Sequence, residues 1–426
     1  MTDYEPIDFF RGSDLVDDPY PYFDWLREQC PVRRESHHDV MMVTGFDEAV
    51  AVYTDTASFS SCNSPTGPLP GFPVPLDGDD VTELIEQHRD ELPFSDQILT
   101  FDPPVHTAHR GLLMRLITPK RLRENEESMW QLADRRIDEF ADRGACELIG
   151  EYGQPFAMLV IADLLGVPEE DQRQFQDQLG PGRGNRTGTV GATDREMAHS
   201  PLEFLYEKFS GYIEERRREP RHDVLTGMAT ATFPDGSTPD ALDVARIAAN
   251  LFAAGQETTV RLFGTALQRI GEDHDLQQLL RERRDLIPNF VEECLRIESP
   301  VKGDFRLARV TTDVGGVTVP AGSTVMVVNG AANRDPRHFE CPGDFDVERA
   351  NARQHLAFGR GPHICPGAPL ARAEGRITVE RLLDRMDDIR ISETEHGPAG
   401  NRRYDYVPTY ILRGVSRLHL EFDPRR

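Results

Sequence analysis

The chain has 426 residues, 38% of them hydrophobic, and a formal net charge of −25 at pH 7. This length exceeds the usual size of a single hydrophobic core. The composition nevertheless shows no break, repeat or low-complexity tract, so we expect one domain over residues 1–426. The acidic charge disfavours sequence-independent nucleic-acid binding, because it repels a phosphate backbone at long range.

Signals for secretion and membrane insertion are weak. The N-terminal stretch MTDYEPIDFFRGSD lacks the basic residues and the apolar run of a signal peptide. The longest apolar stretch, from Phe156 to Val167, is too short to span a bilayer and contains Asp163. We therefore expect a cytoplasmic protein with no membrane anchor.

The predicted elements change type along the chain. Helical stretches such as PYPYFDWLREQ and strand-like runs such as DVMMVTGF share the first hundred residues, and residues 64–93 are rich in Pro and Gly and predict a loop. From about residue 105 to 296 the pattern is mainly helical. The strongest helix is predicted to have Thr238 as its cap and Pro239 as its first residue, and to run to about Glu272.

Strands follow Pro300, where FRLARVTTDVGGVTVPAGSTVMVV alternates and carries Gly-containing turn signals. A helical pattern resumes after Cys365 in PLARAEGRITVERLLDRM. The predicted fold class is mainly α with small β-sheets. We expect α-rich parts at about 100–300 and 365–390, and β-rich segments near the N-terminus and at about 303–330.

Cys365 has neighbours unlike those of the other five cysteines, which are far apart and lack a C-x-x-C pair. It lies in FGRGPHICPG, where Gly359, Gly361 and Gly367 leave room for a metal and permit unusual backbone angles. The helix that follows aims amide donors and its positive dipole end at the sulfur, which favours a thiolate. The alternative is a glycine-rich turn with an incidental cysteine.

The string FGRGPHICPG closely resembles the haem-ligand loop of the cytochrome P450 family, whose pattern is F-x-x-G-x-H-x-C-x-G. This resemblance implies that Cys365 is the axial ligand of a haem b iron. It also implies that Phe358 packs beside the sulfur, that His363 approaches a haem propionate, and that Gly359 and Gly367 contact the cofactor. The haem would lie between the long helix and this loop.

A second unusual stretch, AGQETT, lies inside the long helix. Gly and Thr are poor choices in mid-helix, so functional use would explain them better than packing does. The alternative is a solvated stripe. AGQETT resembles the oxygen-activation motif A-G-x-[DE]-T-[TS] of the same family, which implies that Glu257 and Thr258 are catalytic and that Ala254 and Gly255 adjoin the cofactor.

Glu293 and Arg296 form an E-x-x-R pattern, which by itself is typical of a surface ion pair. The family resemblance implies that the pair is instead locked to a later arginine, for which Arg349 is the candidate, in a structural role.

The segment DPPVHTAHR resembles the family segment DPPEHTRLR, with Val105 in place of Glu. His106 and Arg110 are four residues apart and share one helix face, which suits haem propionates. The resemblance assigns Arg306 the same role, and His109 is predicted to be a surface residue.

On this resemblance we expect a bacterial-type haem-thiolate monooxygenase that hydroxylates or epoxidises a hydrophobic small molecule of terpenoid, steroid or fatty acyl type. No flavin or nicotinamide fingerprint is present, so electrons would come from a ferredoxin and its reductase. A basic patch for the acidic carrier is expected at Arg115, Lys120, Arg121, Arg360, Arg372 and Arg376.

Two alternatives remain open. A peroxygenase would use hydrogen peroxide without a redox partner, but it has no need of Glu257 and Thr258. A non-catalytic haem sensor or carrier would not need them either.

The substrate pocket is expected to draw on four stretches of the chain: residues 69–75, the long helix, residues 301–305 and the late segment YVPTYILRG. Lys302 and Asp304 are open candidates for orienting a polar end. The residues expected to line the pocket are Phe252, Ala253, Val301 and Phe305.

Overall fold

The computed structural model describes residues 4–179 and 202–425. The predicted helical region at about 100–300 therefore includes residues 180–201, which lie outside the described residues. The helices are α1 Tyr20–Gln29, α2 Phe46–Thr54, α3 Thr82–His88, α4 Val105–Leu113, α5 Pro119–Asp138, α6 Gln154–Leu165, α7 Glu169–Leu179, α8 Leu202–Arg218, α9 Val224–Ala229, α10 Ala241–Glu272, α11 His274–Glu282, α12 Ile287–Ile297, α13 Asn329–Ala332, α14 Ala368–Arg385 and α15 Glu393–His396.

The strands are short and form three sheets. They are β1 Val32–Arg34, β2 Met41–Val43, β3 Phe59–Ser60, β4 Ala145–Glu147, β5 Asp304–Ala308, β6 Thr312–Val314, β7 Val317–Val319, β8 Thr324–Val327, β9 Met386–Ile391 and β10 His419–Pro424. The largest sheet has the order β1-β2-β8-β5-β3, a second has the order β4-β10-β9, and β6 pairs with β7. The mainly α fold class is confirmed, and β9 and β10 are strands that the sequence pattern did not predict.

The long helix α10 organises the α-rich part. Its 32 residues correspond to about 48 Å at the usual rise, and α6, α8, α12 and α14 all pack against it. It ends at Glu272 as predicted, but it begins at Ala241. The predicted start at Pro239 is wrong because Asp240, with a ψ of 154°, is not helical and forms the N-cap without a side-chain hydrogen bond.

The apolar stretch before α7 is longer than the sequence pattern indicated. A π-helical turn, Leu148–Gly153, leads directly into α6. The combined run Leu148–Leu165 has 18 residues and a mean hydropathy of 1.2, so length and composition alone would allow it to cross a membrane. Since 67% of it is buried inside the structure, we interpret it as a core helix.

The E-x-x-R pair lies at the C-terminal end of α12 and has no exposed surface. Arg296 donates from Nε and from one terminal nitrogen to the two oxygens of Glu293, at 2.7 and 2.8 Å. Arg349 donates to the same carboxylate at 3.0 Å. The remaining guanidinium donors of Arg296 bond to the backbone carbonyls of Asn333, Pro342 and Asp344. The cluster therefore ties α12 to the segment that leads into the Cys365 loop.

Candidate active site around Cys365

The Cys365 loop is closed by its own backbone. The amide of Cys365 donates to the carbonyl of Phe358 at 2.8 Å, and a 3₁₀ turn spans Gly361–His363. Gly361 has a φ of +69°, and a Cβ there would lie only 2.4 Å from the carbonyl oxygen of Tyr53 on α2. Any other residue at 361 would therefore push the loop away from α2.

The environment of the Cys365 thiol contains opposing effects. Burial is the largest effect and on balance raises the pKa of the thiol, whereas the backbone N–H groups of Gly367 and Ala368 and the charge of Arg110 oppose this shift. These amides lie at the N-terminal end of α14, where the helix dipole favours an anion. Arg110 also donates to the carbonyl of Ile364, so its guanidinium is held beside the loop. The protein thus supplies three groups that stabilise a thiolate.

Two imidazole rings, one from this loop and one from α4, lie close together. The rings of His106 on α4 and His363 have centroids 3.9 Å apart. Burial and the charge of Arg110 lower the pKa of His106 to about 4. Burial, His106 and Arg306 lower the pKa of His363 to about 3. Both rings are therefore neutral at pH 7, and an anion beside them would reverse these shifts because it favours the imidazolium form.

Arg306 on β5 completes a basic rim around the two imidazoles. It is 5% exposed, and its guanidinium lies 5.4 Å from the ring centroid of Tyr53. It donates to the carbonyl of Phe305 at 2.6 Å and reaches Ser64 at 3.5 Å. Among residues 4–179 and 202–425, no carboxylate forms an ion pair with Arg306 or Arg110, which leaves this rim suited to a carboxylate ligand.

One buried carboxylate near this basic rim joins distant segments of the chain. Asp102, before α4, accepts hydrogen bonds from the Ser60 hydroxyl at 2.5 Å, the Ser61 amide at 2.8 Å and Arg309 at 2.6 Å, and it also pairs with Arg89. Sequence reasoning missed these partners. The D-P-P string was the only sequence signal for this carboxylate, because the partners of Asp102 come from distant parts of the chain.

The α10 motif presents its residues on two sides of the helix. Ala254 is exposed, and the Thr258 hydroxyl donates back to its carbonyl at 2.8 Å. Glu257 pairs with Arg261 at 3.2 Å, and Arg261 also donates to the carbonyl of Val415 at 2.6 Å. A Cβ on Gly255 would make only an ordinary contact with α6, at 3.6 Å. The Thr258 hydroxyl thus lies near the helix face that Ala254 leaves open, one residue after the Glu257 carboxylate.

Two of the expected pocket residues belong to the core instead. Phe252 has no exposed surface and packs edge-to-face on Phe175, with ring centroids 5.0 Å apart. Phe305 is equally buried and packs against Phe10 and Tyr410. A side chain without accessible surface does not line a cavity. Ala253 and Val301 are half-buried and stay candidates.

The polar candidates near β5 also face protein groups. Lys302 is buried, and its ammonium donates to the carbonyl of Thr409. Burial and the charge of Arg413 lower the pKa of Lys302 to about 7. Asp304 accepts a hydrogen bond from the Tyr53 hydroxyl at 2.5 Å. Both side chains are therefore already bonded to protein groups.

His109 is another residue that the structure places differently. It is half-buried rather than a surface residue. Its ring packs against Phe101 and Phe233, with centroids 4.9 and 5.2 Å away.

The residues around Cys365 fit a haem. Among the described residues, no group of three or more His, Cys, Asp or Glu side chains is arranged to hold a metal ion. A haem would bring its own nitrogen ligands to a metal bound by this thiolate. His106 Nδ1 is buried with no hydrogen-bond partner within residues 4–179 and 202–425. That orphaned nitrogen, with Arg110 and Arg306, matches the carboxylates of such a cofactor.

A second buried carboxylate lies on α14, and it gives a stability prediction. Glu374 is 2% exposed. Burial raises its pKa well above 4.5, although a hydrogen bond with Thr259 opposes this shift. Above pH 4.5 the Glu374 carboxyl thus keeps a proton in the folded state that it loses in the unfolded state. The free energy of unfolding therefore falls as pH rises above about 4.5. We expect Glu374→Gln to raise stability at pH 8, by on the order of 1 kcal/mol or more, and to have little effect at pH 4.

Thermal unfolding of both proteins at the two pH values measures this difference. Glu348→Gln, at an exposed position, is the matched control and should leave the stability unchanged at both pH values. An equal gain at both pH values would contradict the assignment of a proton to Glu374.

Comparisons with known proteins agree with this geometry. Residues 193–395 match the family model described as Cytochrome P450. Cytochrome P450 144 of Mycobacterium tuberculosis is 32% identical over 425 residues, covering 99% of this chain and 92% of that protein. The 6-deoxyerythronolide B hydroxylase of Saccharopolyspora erythraea is 31% identical over 424 residues, covering 96% and 98%. The substrate-free structure of Mycobacterium marinum cytochrome P450 CYP150A6 superposes with a TM-score of 0.93 at 55% identity, covering 100% of both chains.

These relatives share the fold, and the chain covers almost their whole length. Bacterial enzymes of this kind use a haem, take electrons from redox partners and bind hydrophobic substrates. The chain therefore belongs to the cytochrome P450 family of haem oxidoreductases.

Proposed function

We propose that the protein is a haem b monooxygenase in which the Cys365 thiolate would hold the haem iron. The observation that carries the proposal is the convergence of the Gly367 and Ala368 amides and Arg110 on the sulfur. A thiolate-ligated haem supplies the chemistry of dioxygen activation and O–O cleavage. In the overall reaction, one oxygen atom enters the substrate and the other leaves as water, with two electrons and two protons consumed.

The chain's own residues divide the remaining tasks. His106, Arg110, His363 and Arg306 bind the propionates of the cofactor. Glu257 and Thr258 deliver protons from α10, with Glu257 held by Arg261. Glu293, Arg296 and Arg349 stabilise the fold around the loop.

Electrons reach the haem from a ferredoxin and its reductase in the cytoplasm. Arg115, Lys120 and Arg360 are exposed, which supports a docking surface near the Cys365 loop. Arg121 is half-buried. Arg372 is bound to Glu292 at 2.6 Å, and Arg376 is paired with Glu126. The docking patch is therefore centred on the three exposed residues.

The substrate is a hydrophobic small molecule of terpenoid, steroid or fatty acyl type, hydroxylated or epoxidised beside α10. Ala253 and Val301 are the residues of the expected pocket that keep accessible surface. The apolar character of this lining supports the assignment.

The reduced, carbon monoxide-treated protein tests the proposal. A strongly red-shifted Soret band in the difference spectrum is the expected result. A band at the position of histidine-ligated haem, or failure to bind haem, would overturn it. Product formation with ferredoxin, reductase and dioxygen, compared with hydrogen peroxide alone, separates the monooxygenase from a peroxygenase.

Thr258→Ala tests the proton-delivery role. We expect the ratio of product formed to dioxygen consumed to fall about tenfold or more, because a positioned acid–base group contributes at least that much. The reduced carbon monoxide spectrum should stay unchanged. Thr230→Ala is the control, since its hydroxyl also donates to a helix carbonyl, at 2.8 Å, but lies at the C-terminal end of α9. An unchanged product ratio in Thr258→Ala would remove Thr258 from the relay.

A further inference from the structure

One guanidinium on α10 joins the acid of the proton-delivery pair to the C-terminal part of the chain. Arg261 follows Glu257 by four residues, so the two side chains share one face of the helix. One terminal nitrogen of Arg261 pairs with Oε1 of Glu257 at 3.2 Å, and the other donates to the carbonyl of Val415 at 2.6 Å. Arg261 is 5% exposed. The pair therefore differs from an exposed i,i+4 pair, whose two members both move in solvent.

The Glu257 carboxylate depends on this contact for its orientation. Its side chain keeps 35% of its surface, and Arg261 is its one cationic partner among the ion pairs of residues 4–179 and 202–425. A long side chain with that much accessible surface keeps several rotamers unless a partner selects one. Arg261 can select one because its planar guanidinium is itself held from the other side by Val415.

A glycine leaves room for the Arg261 side chain. Gly414 has a φ of +151°, a conformation that glycine adopts more readily than other residues. A Cβ at this position would lie 2.6 Å from Cδ and 2.8 Å from Cβ of Arg261, well inside the contact distance of two carbon atoms. Any other residue at 414 would thus force the stem of Arg261 to move, and the guanidinium with it.

The segment that carries Gly414 is fixed on α10. The Val407 amide donates to the carbonyl of Gly414 at 3.0 Å. Val415 is 1% exposed, and it packs on the long helix at Gly264, where a Cβ would lie 3.0 Å from the Val415 side chain. The carbonyl that accepts from Arg261 therefore has a defined position relative to the helix.

We propose that Arg261 and Gly414 are positioning residues for Glu257. Arg261 holds the carboxylate beside Thr258 by bridging it to Val415, and Gly414 leaves the room that this bridge needs. The C-terminal segment thereby sets the geometry of proton delivery from α10. This inference rests on the proposed function, since that function gives Glu257 its task.

The infrared C–O stretching band of the reduced, carbon monoxide-treated holoenzyme tests the inference. Its frequency responds to the electric field of charged and polar groups close to the bound gas, and the measurement needs no substrate. Gly414→Ala keeps every charge of the protein, so a change of the band in this variant reports a change of position. We expect the band to shift or split in Gly414→Ala, and we expect the same substitution to have no effect in a Glu257→Gln background.

Gly78→Ala is the matched control. Gly78 also has a large positive φ, of +116°, but a Cβ there would meet no atom within 4 Å, so its band should match that of the wild type. Arg261→Lys is the second variant, and it supplies the measurement where Gly414→Ala fails to fold. It keeps the charge but replaces the planar fork that reaches two partners by a single ammonium, so it should also shift or split the band.

An unchanged band in Gly414→Ala and Arg261→Lys would overturn the inference. So would a band that Glu257→Gln alone leaves unchanged, or an equal change with and without Glu257→Gln, because the two residues would then not act through Glu257. The visible spectrum of each reduced carbon monoxide complex is recorded first. A red-shifted Soret band combined with any of these infrared results would refute the positioning role while leaving the proposed function intact.

Discussion

Replacement of Cys365 by alanine will abolish the red-shifted Soret band of the reduced carbon monoxide complex and will lower monooxygenase turnover by at least a thousandfold. The physical reason is that Cys365 is the one thiol on which the Gly367 and Ala368 amides and Arg110 act together. Alanine leaves these donors in place but removes the anion. Cavity size should change little, so the protein should still fold.

Cys341→Ala is the matched control for this experiment. Cys341 is exposed, and removing its thiol should alter neither the spectrum nor turnover. Haem content measured by the pyridine haemochrome assay separates loss of ligation from loss of cofactor. A red-shifted band that persists in Cys365→Ala would show that another residue is the ligand, and the proposed function would fall.

Arg296→Met will destabilise the protein by about 3–5 kcal/mol, the usual cost of removing one partner from a buried ion pair. Arg296 and Glu293 have no exposed surface. Methionine fills similar volume but leaves the Glu293 carboxylate with Arg349 as its remaining charged partner. It also leaves the carbonyls of Asn333 and Pro342 without these donors.

Urea unfolding followed by tryptophan fluorescence, together with the yield of soluble holoprotein, measures this loss. Arg283→Met is the control, because the Arg283 pair with Asp285 is exposed on both sides and such pairs contribute at most about 1 kcal/mol. Where Arg296→Met fails to fold, Arg296→Lys gives the milder measurement, since it keeps the charge but loses the paired geometry. Equal effects at positions 296 and 283 would contradict a special role for the buried cluster.

The sequence by itself determined the features that depend on neighbours in the chain. The glycines of the Cys365 loop, the helix after it and the hydroxyl in mid-helix at Thr258 all lie within one short stretch or one helix. Local geometry is fixed by backbone angles and by i,i+4 spacing, so residue types at fixed offsets reveal it. The fold class and the end of α10 followed from the same periodicities.

Only the tertiary structure decided the contacts between distant segments. His106 and His363 are far apart in the chain, yet their ring centroids lie 3.9 Å apart, and the partners of Asp102 come from β3 and beyond β5. Phe252 and Phe305 lie in the core and Lys302 faces Thr409. An apolar or cationic side chain next to a predicted pocket carries no local signal of the direction in which it points. That direction is set by the packing of whole helices and sheets, which is decided by burial over the entire chain.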